Sequence, residues 1–486
     1  MKKIKLLIAI LFGSIISTQA NNVTLTNPSV VGQNLSFKIS WDNSWYTNNA
    51  PNNWDAVWVF VKIQDCSTQL WSHANLSTLV GDHSAAAPLM IETVTDGKGV
   101  FIRRSAIGGG NISAANITLK LNLPAGTYNY KVYGIEMVNV PTGTFTAGGS
   151  GSESTKYNLT TIDATVQSSG LTAATIGGSS VGVPSTFPMG YNGFYCMKYE
   201  VSQQQYVDFL NSLTYNQQAS RVEIAPNSAI GTRAFTNSGV GHRNWIVIQT
   251  AGNNSALPAT FACGAATVTG YSNGDDGENI ACNKLSPSDI MSYLDWAALR
   301  PMTELEYEKA CRGPLPAVAN EYVWGTTDVV NWVPGATPGL INTETPSEMW
   351  TNTVTNGICI CGVNSGATAY GPARVGITAT NSSGRASSGA TYYGAMNMGD
   401  NVREIAITTR NAAGTAFNAT LGDGELDPNG NFNANTWPTG TIGTAGRGGQ
   451  WVTLPGSAGG SQLADRANSN LDPTVRSYVN GGRGVR

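Results

Sequence analysis

Charge is scarce in this 486-residue chain: Asp, Glu, Lys and Arg make up 12% of it, about half the usual share of roughly 25%. Acidic residues outnumber basic ones, 31 to 28, so no sequence-wide basic field exists to hold nucleic acid. Histidine is almost absent, with His73, His83 and His242 the three copies. Cysteine occurs seven times, never as a C-x-x-C pair, which argues against a zinc ribbon. After the first twenty residues no run of eighteen apolar residues appears, so no spanning helix is expected. No Gly-X-Y period and no dominance of Glu, Lys, Ala and Leu is found, which excludes collagen and a long helical bundle. Phosphate-cradling loops are also missing.

Aromatic residues and glycine are plentiful: 12 Trp, 18 Tyr, 12 Phe and 56 Gly. With 41% hydrophobic residues the chain can pack cores, and disorder is excluded. Its length suits two or three domains. The start reads as an export leader: Lys2, Lys3 and Lys5 precede an apolar core from Leu6 to Phe12, and Thr18 and Ala20 flank a cleavage point. The mature chain is expected to begin at Asn21. No Cys stands near the cut, so lipid attachment there is not expected, and the destination is periplasmic, cell-surface or extracellular.

Export permits disulfides, although an odd cysteine count leaves at least one thiol over. Cys263 and Cys282 flank a loop and could pair; Cys359 and Cys361 stand too close in sequence for an easy mutual bridge.

Residues 21–165 read as an all-β sandwich, immunoglobulin-like in its spacing of strands and turns. Leu35, Phe37, Ile39 and Trp41 alternate with polar neighbours, and Trp58–Ile63, Ile117–Leu123 and Tyr128–Met137 follow as strands. Trp41, Trp45, Trp54, Trp58 and Trp71 are either a sugar-stacking platform or core and edge aromatics. Gly/Ser-rich stretches at 148–153 and 168–185 bracket the expected domain boundary.

Residues 166–486 read as α+β with much irregular loop. Phe194–Val201 is a strand, and Ser202 with Gln205 forms a capping box in which Val201 staples onto Tyr206. Thr303 with Glu306 repeats the device after Met302, and Gly313-Pro314 stops that second helix. Asp275-Asp276 reads as a solvated turn. Glu425–Gly430 imitates part of an EF-hand, but begins with Glu and carries Thr436 where the bidentate Glu belongs.

Six segments in order resemble a known family. Glu200-Val201-Ser202 with Tyr206 and Phe209, the run Leu299–Glu308, Tyr322-Val323-Trp324-Gly325, the run Gly394–Glu404, Arg447-Gly448-Gly449-Gln450-Trp451 and the final Gly484-Val485-Arg486 resemble the motifs of the formylglycine-generating enzyme, or sulfatase-modifying factor, family. The resemblance covers about 165–486 and implies a C-type-lectin-like fold. Family enzymes that oxidise a substrate cysteine carry two cysteines between the fifth and sixth of these motifs. Here that segment, Val452–Arg483, has no Cys, and the corresponding positions fall near Ala458 and Leu463. A displaced pair at Cys359 and Cys361 has no support from spacing. The histidine-based iron site of a related branch lacks its ligands, because only His242 lies in this region; a loop hydrogen-bonding residue is the plainer reading of it.

The resemblance also implies a structural calcium ion, held by the side chains of Asn397 and Glu404 and the backbone carbonyls of Asp400 and Val402. These are the hard oxygen donors calcium takes. Asp400 stands where Gly is usual and Arg403 where Trp is usual, and Arg403 could place its own charge in the site. The expected function is an exported, non-catalytic binding or structural protein whose ligand is a glycan or protein at the cell surface. The alternative is an oxidoreductase of the same family with an unrecognised site. A third reading is a variable lectin-like receptor with its diversity near residues 450–480.

Overall fold

The computed structural model describes residues 22–236, 242–253, 257–265, 271, 275–331, 340–341, 345, 348–350, 356–362, 370–380 and 383–486. The expected leader, residues 1–20, lies outside them.

Nine strands occupy the first part: β1 (Thr24–Val31), β2 (Asn34–Tyr46), β3 (Asp55–Asp65), β4 (Trp71–His73), β5 (Ser84–Ala85), β6 (Leu89–Thr93), β7 (Val100–Arg104), β8 (Gly108–Lys120) and β9 (Tyr128–Val140). Period-two alternation decides how β2 lies. Leu35, Phe37, Ile39 and Trp41 are buried on one face while Lys38 is exposed on the other. The sheet β1-β2-β8-β5 packs this face against Val57, Val59, Val61 and Ile63 of β3. The opposite face of β3 is buried too: Ala56, Trp58 and Phe60 join the large core containing Phe209 and Trp296. That explains the unbroken apolar run of β3, as expected for a strand covered on both sides.

The second sheet does not end with this part of the chain. β9 pairs antiparallel with Phe194–Met197, which neighbours Gly484–Val485, then Arg300–Thr303, Glu404–Ile407 and Thr444–Arg447. One ten-stranded sheet therefore runs through both halves, in the order from Thr444–Arg447 to β6 with β4 attached to β3. Trp58 fastens the halves further. Its Nε1 donates to Ala297 O at 2.9 Å, and the Arg486 guanidinium lies 4.2 Å from its ring centroid. The architecture is β-rich with several sheets, consistent with a C-type-lectin-like domain of the resembled family.

Both expected capping boxes form. Ser202 caps the helix Gln203–Leu210, burying Tyr206, Phe209 and Leu210, and Thr303 caps Glu304–Arg312. Thr214–Gln217 and Ser286–Asp289 form two more, starting Tyr215–Arg221 and Pro287–Trp296.

The five tryptophans follow the core-and-edge reading: Trp41 and Trp58 are core, whereas Trp45, Trp54 and Trp71 are part-buried. Two other expectations are corrected. Asp276 is buried rather than solvated. Cys263 and Cys282 are unpaired buried thiols.

Candidate functional site

The four residues expected to hold calcium lie on the turn that leads into the strand Glu404–Ile407. Asn397 and Asn401 take left-handed backbone angles, φ +57° and +63°, which Asn tolerates better than most residues. Asn397 Oδ1 accepts from Gly376 N at 2.8 Å, and its Nδ2 donates to Asp400 Oδ1 at 3.0 Å. Asp400 Oδ2 accepts from Ile360 N at 2.6 Å. Asp400, standing where Gly is usual, thus ties the turn to a neighbouring loop with its side chain.

Glu404 is fully buried, and Arg483 meets it: Nε and Nη2 each lie 2.6 Å from Oε1. Its Oε2 is buried without a hydrogen-bond partner. Among the described residues the backbone carbonyls of Asp400 and Val402 accept no hydrogen bond either. Glu200 completes the group by accepting from Asn401 Nδ2 at 2.7 Å and from Val402 N at 3.0 Å. Burial pushes the Asp400 carboxyl up to about 6. Burial, helped by the Glu404 charge, pushes Glu200 well above the usual carboxylate range, and burial, helped by the Asp400 charge, pushes Glu404 up to about 7, with Arg483 opposing both.

Three carboxyl groups therefore share one guanidinium. That excess of buried negative charge, the orphaned Oε2 and the two unbonded carbonyls fit a divalent cation. The side chains do not already form a closed cage, since no group of three or more His, Cys, Asp or Glu able to hold a metal occurs among the described residues. Arg403 does not occupy the site; it donates to Asn480 and Gln450. Sequence reading missed Arg483 and Glu200 as members of this cluster. Both stand inside or beside the quoted motifs, and their burial was the signal that sequence lacks.

The segment Val452–Arg483 presents no thiol. Ala458 is exposed and Leu463 is fully buried beside Tyr322 and Trp324. The expectation that Cys359 and Cys361 would not bridge is overturned: they form a disulfide, with Cα atoms 5.3 Å apart, inside the range such bonds need. A bend at Ile360 provides that separation, since an extended pair would stand roughly 6.6–7.2 Å apart. Ser461 Oγ lies 3.2 Å from Cys359 Sγ, so the bridge packs against the thiol-free segment, and both cysteines are buried. His242 stacks on Tyr478, ring centroids 4.5 Å apart. In the EF-hand imitation, Asp427 Oδ1 instead accepts from Asn429 N and Asn431 N, closing its own turn.

A cleft of about 360 Å³ opens where the first β-sheet meets the C-terminal loops. Trp45 and Pro51 form one wall; Tyr392, Tyr393 and Met396 form another, with Lys198 and Arg385 between them. Asn53 holds the walls together, accepting from Trp45 Nε1 at 3.1 Å and donating to Tyr393 O at 2.9 Å. Lys198 lies 5.0 Å from the Trp45 ring centroid and 2.9 Å from Glu136 Oε2. Burial alone would lower the Lys198 ammonium, but Glu136 outweighs it and keeps the group charged. Stacking faces, amides and hydroxyls suit the recognition of a small polar ligand.

No curated protein matches the chain. The model of the sulfatase-modifying factor enzyme 1-like domain matches residues 129–473, starting within β9 and running through the Asn397–Glu404 turn and most of the thiol-free segment. The chain belongs to the sulfatase-modifying factor enzyme family.

Proposed function

We propose that this chain is an exported, non-catalytic binding protein that uses the family domain, with the first β-sheet attached, to hold a glycan or protein ligand at the cell surface. The cleft carries this reading: aromatic faces, amides and two cations line it, but among the described residues no thiol, histidine or carboxylate does. Such a lining can bind and orient, and its hydroxyls have no histidine or carboxylate among the described lining residues to activate them. The leader-like start supports export, and cleavage after Ala20 would release a chain starting at Asn21. Among the described residues no helix is long and apolar enough to cross a membrane. The two face-packed antiparallel sheets support the immunoglobulin-like reading of residues 21–165. Screening of the mature protein on a glycan array and by pull-down, alongside Trp45→Ala, tests the proposal. Binding that the variant loses supports it, and N-terminal mass spectrometry tests the cleavage.

Calcium is proposed as a structural ion of the turn, held by Glu404 Oε2 and the Asp400 and Val402 carbonyls, with Asn397 contributing its side-chain oxygen after release from Gly376 N. The alternative function, an oxidoreductase with an unrecognised site, draws its support from the Cys359–Cys361 pair beside Ser461. Burial of both sulfurs weighs against it, since exchange needs access to a sulfur.

A further inference from the structure

We propose that the cleft between the first β-sheet and the C-terminal loops takes an anionic saccharide, a sugar carrying a carboxylate, with that carboxylate placed on Arg385. The inference rests on the reading of the chain as a binding protein and adds the charge of its ligand.

Charge balance leads to it. None of the described residues lining the cleft is Asp or Glu, whereas Lys198 and Arg385 both line it. The Lys198 charge is already matched within the protein, by Glu136 Oε2 at 2.9 Å and Asp55 Oδ2 at 3.9 Å. Arg385 has no such partner among the described residues. Its Nη2 donates to two backbone carbonyls, Cys311 O at 2.9 Å and Val323 O at 3.0 Å, and its Nε is buried without a partner. Its Nη1 makes no hydrogen bond to any described residue. The nearby carboxylate of Glu321 is held by Arg312 at 2.6 Å. A guanidinium clamped by two carbonyls is oriented without being neutralised, and its Nη1 still has hydrogens to donate to a carboxylate in a charge-assisted bond.

The rest of the wall suits a sugar. Tyr392 is part-exposed beside Arg385, whose guanidinium lies 5.6 Å from its ring centroid. Trp45 is part-exposed on the opposite wall, fixed by its bond to Asn53. Two fixed aromatic faces can cover the C–H faces of a pyranose, while the hydroxyls of Thr47 and Ser383 line the same space. At about 360 Å³ the cleft accommodates one or two sugar residues rather than a folded partner.

The test is a glycan array carrying uronate- and sialate-bearing glycans beside their neutral counterparts, probed with the full-length mature protein, Arg385→Gln and Arg385→Lys. The expected result is at least a tenfold preference of the native chain for the acidic member of a pair. Arg385→Gln should abolish the preference, and Arg385→Lys should retain part of it. Because Arg385 also clamps two carbonyls, a second measurement uses the native protein alone: raising the salt should weaken acidic binding selectively. Equal binding of acidic and neutral partners, or a preference indifferent to salt, overturns the anionic ligand and leaves the binding reading in place. Failure to bind any glycan overturns the saccharide altogether, and a protein ligand captured at the cleft would then sustain the broader reading alone.

Discussion

Arg483 Nε and Nη2 both lie 2.6 Å from Glu404 Oε1, and the pair is sealed from solvent. Arg483 also donates to the carbonyls of Met197, Lys198 and Met396. It thereby joins the chain's last strand to the turn that carries the proposed calcium ligands. Arg483→Met should cost about 3–5 kcal/mol, because it strands a buried carboxylate among two others. Chemical denaturation measures this directly.

Calcium should raise the melting temperature of the native chain, and a chelator should lower it. A ligand at a hundredfold excess over Kd contributes about 2.7 kcal/mol if it binds the native state only. Glu404→Gln should remove most of that sensitivity. Calorimetry giving the same transition with calcium and with chelator would show that hydrogen bonds and Arg483 hold the turn by themselves.

Acid should unfold the protein partly through Glu304. Burial alone would raise its carboxyl, but Arg466 and Arg447 outweigh burial and hold it down to about 2 from 4.5. A group depressed in the folded state adds stability above its unfolded value and loses it as the pH falls. The Glu304 contribution, on the order of 3 kcal/mol, is therefore complete above pH about 4.5 and disappears toward pH about 2. Between those limits the stability of Glu304→Gln should fall less steeply than that of the native chain.

Alkylation of the native protein should label Cys66, the one exposed thiol. Denaturation without reductant should then expose Cys196, Cys263, Cys282 and Cys311, and Cys359 and Cys361 should react only after reduction. Mass spectrometry reads each step. Labelling of Cys359 before reduction would contradict the bridge.

The local rules were readable from the sequence because they depend on near neighbours. Alternation placed Leu35, Phe37, Ile39 and Trp41 on a core face, and spacing of three found the boxes at Ser202 and Thr303. Long-range pairing left no such mark. Nothing around Tyr128–Met137 shows that β9 will accept Phe194–Met197 as its neighbour, so a sheet running through both halves was not visible. The candidate site was legible as a turn, through Asn397 and Glu404, but its Arg483 partner lies 79 positions away. The Cys359–Cys361 bridge was misjudged because sequence separation says nothing of the backbone conformation between two residues.

Oxidation of a cysteine-containing substrate peptide, with and without added copper, tests the central claim most directly. The account predicts no aldehyde under either condition, because the segment from Val452 to Arg483 contains no thiol and the one disulfide beside it is buried. Aldehyde formation that disappears in Cys359→Ser or Cys361→Ser would contradict it and make the chain an oxidoreductase.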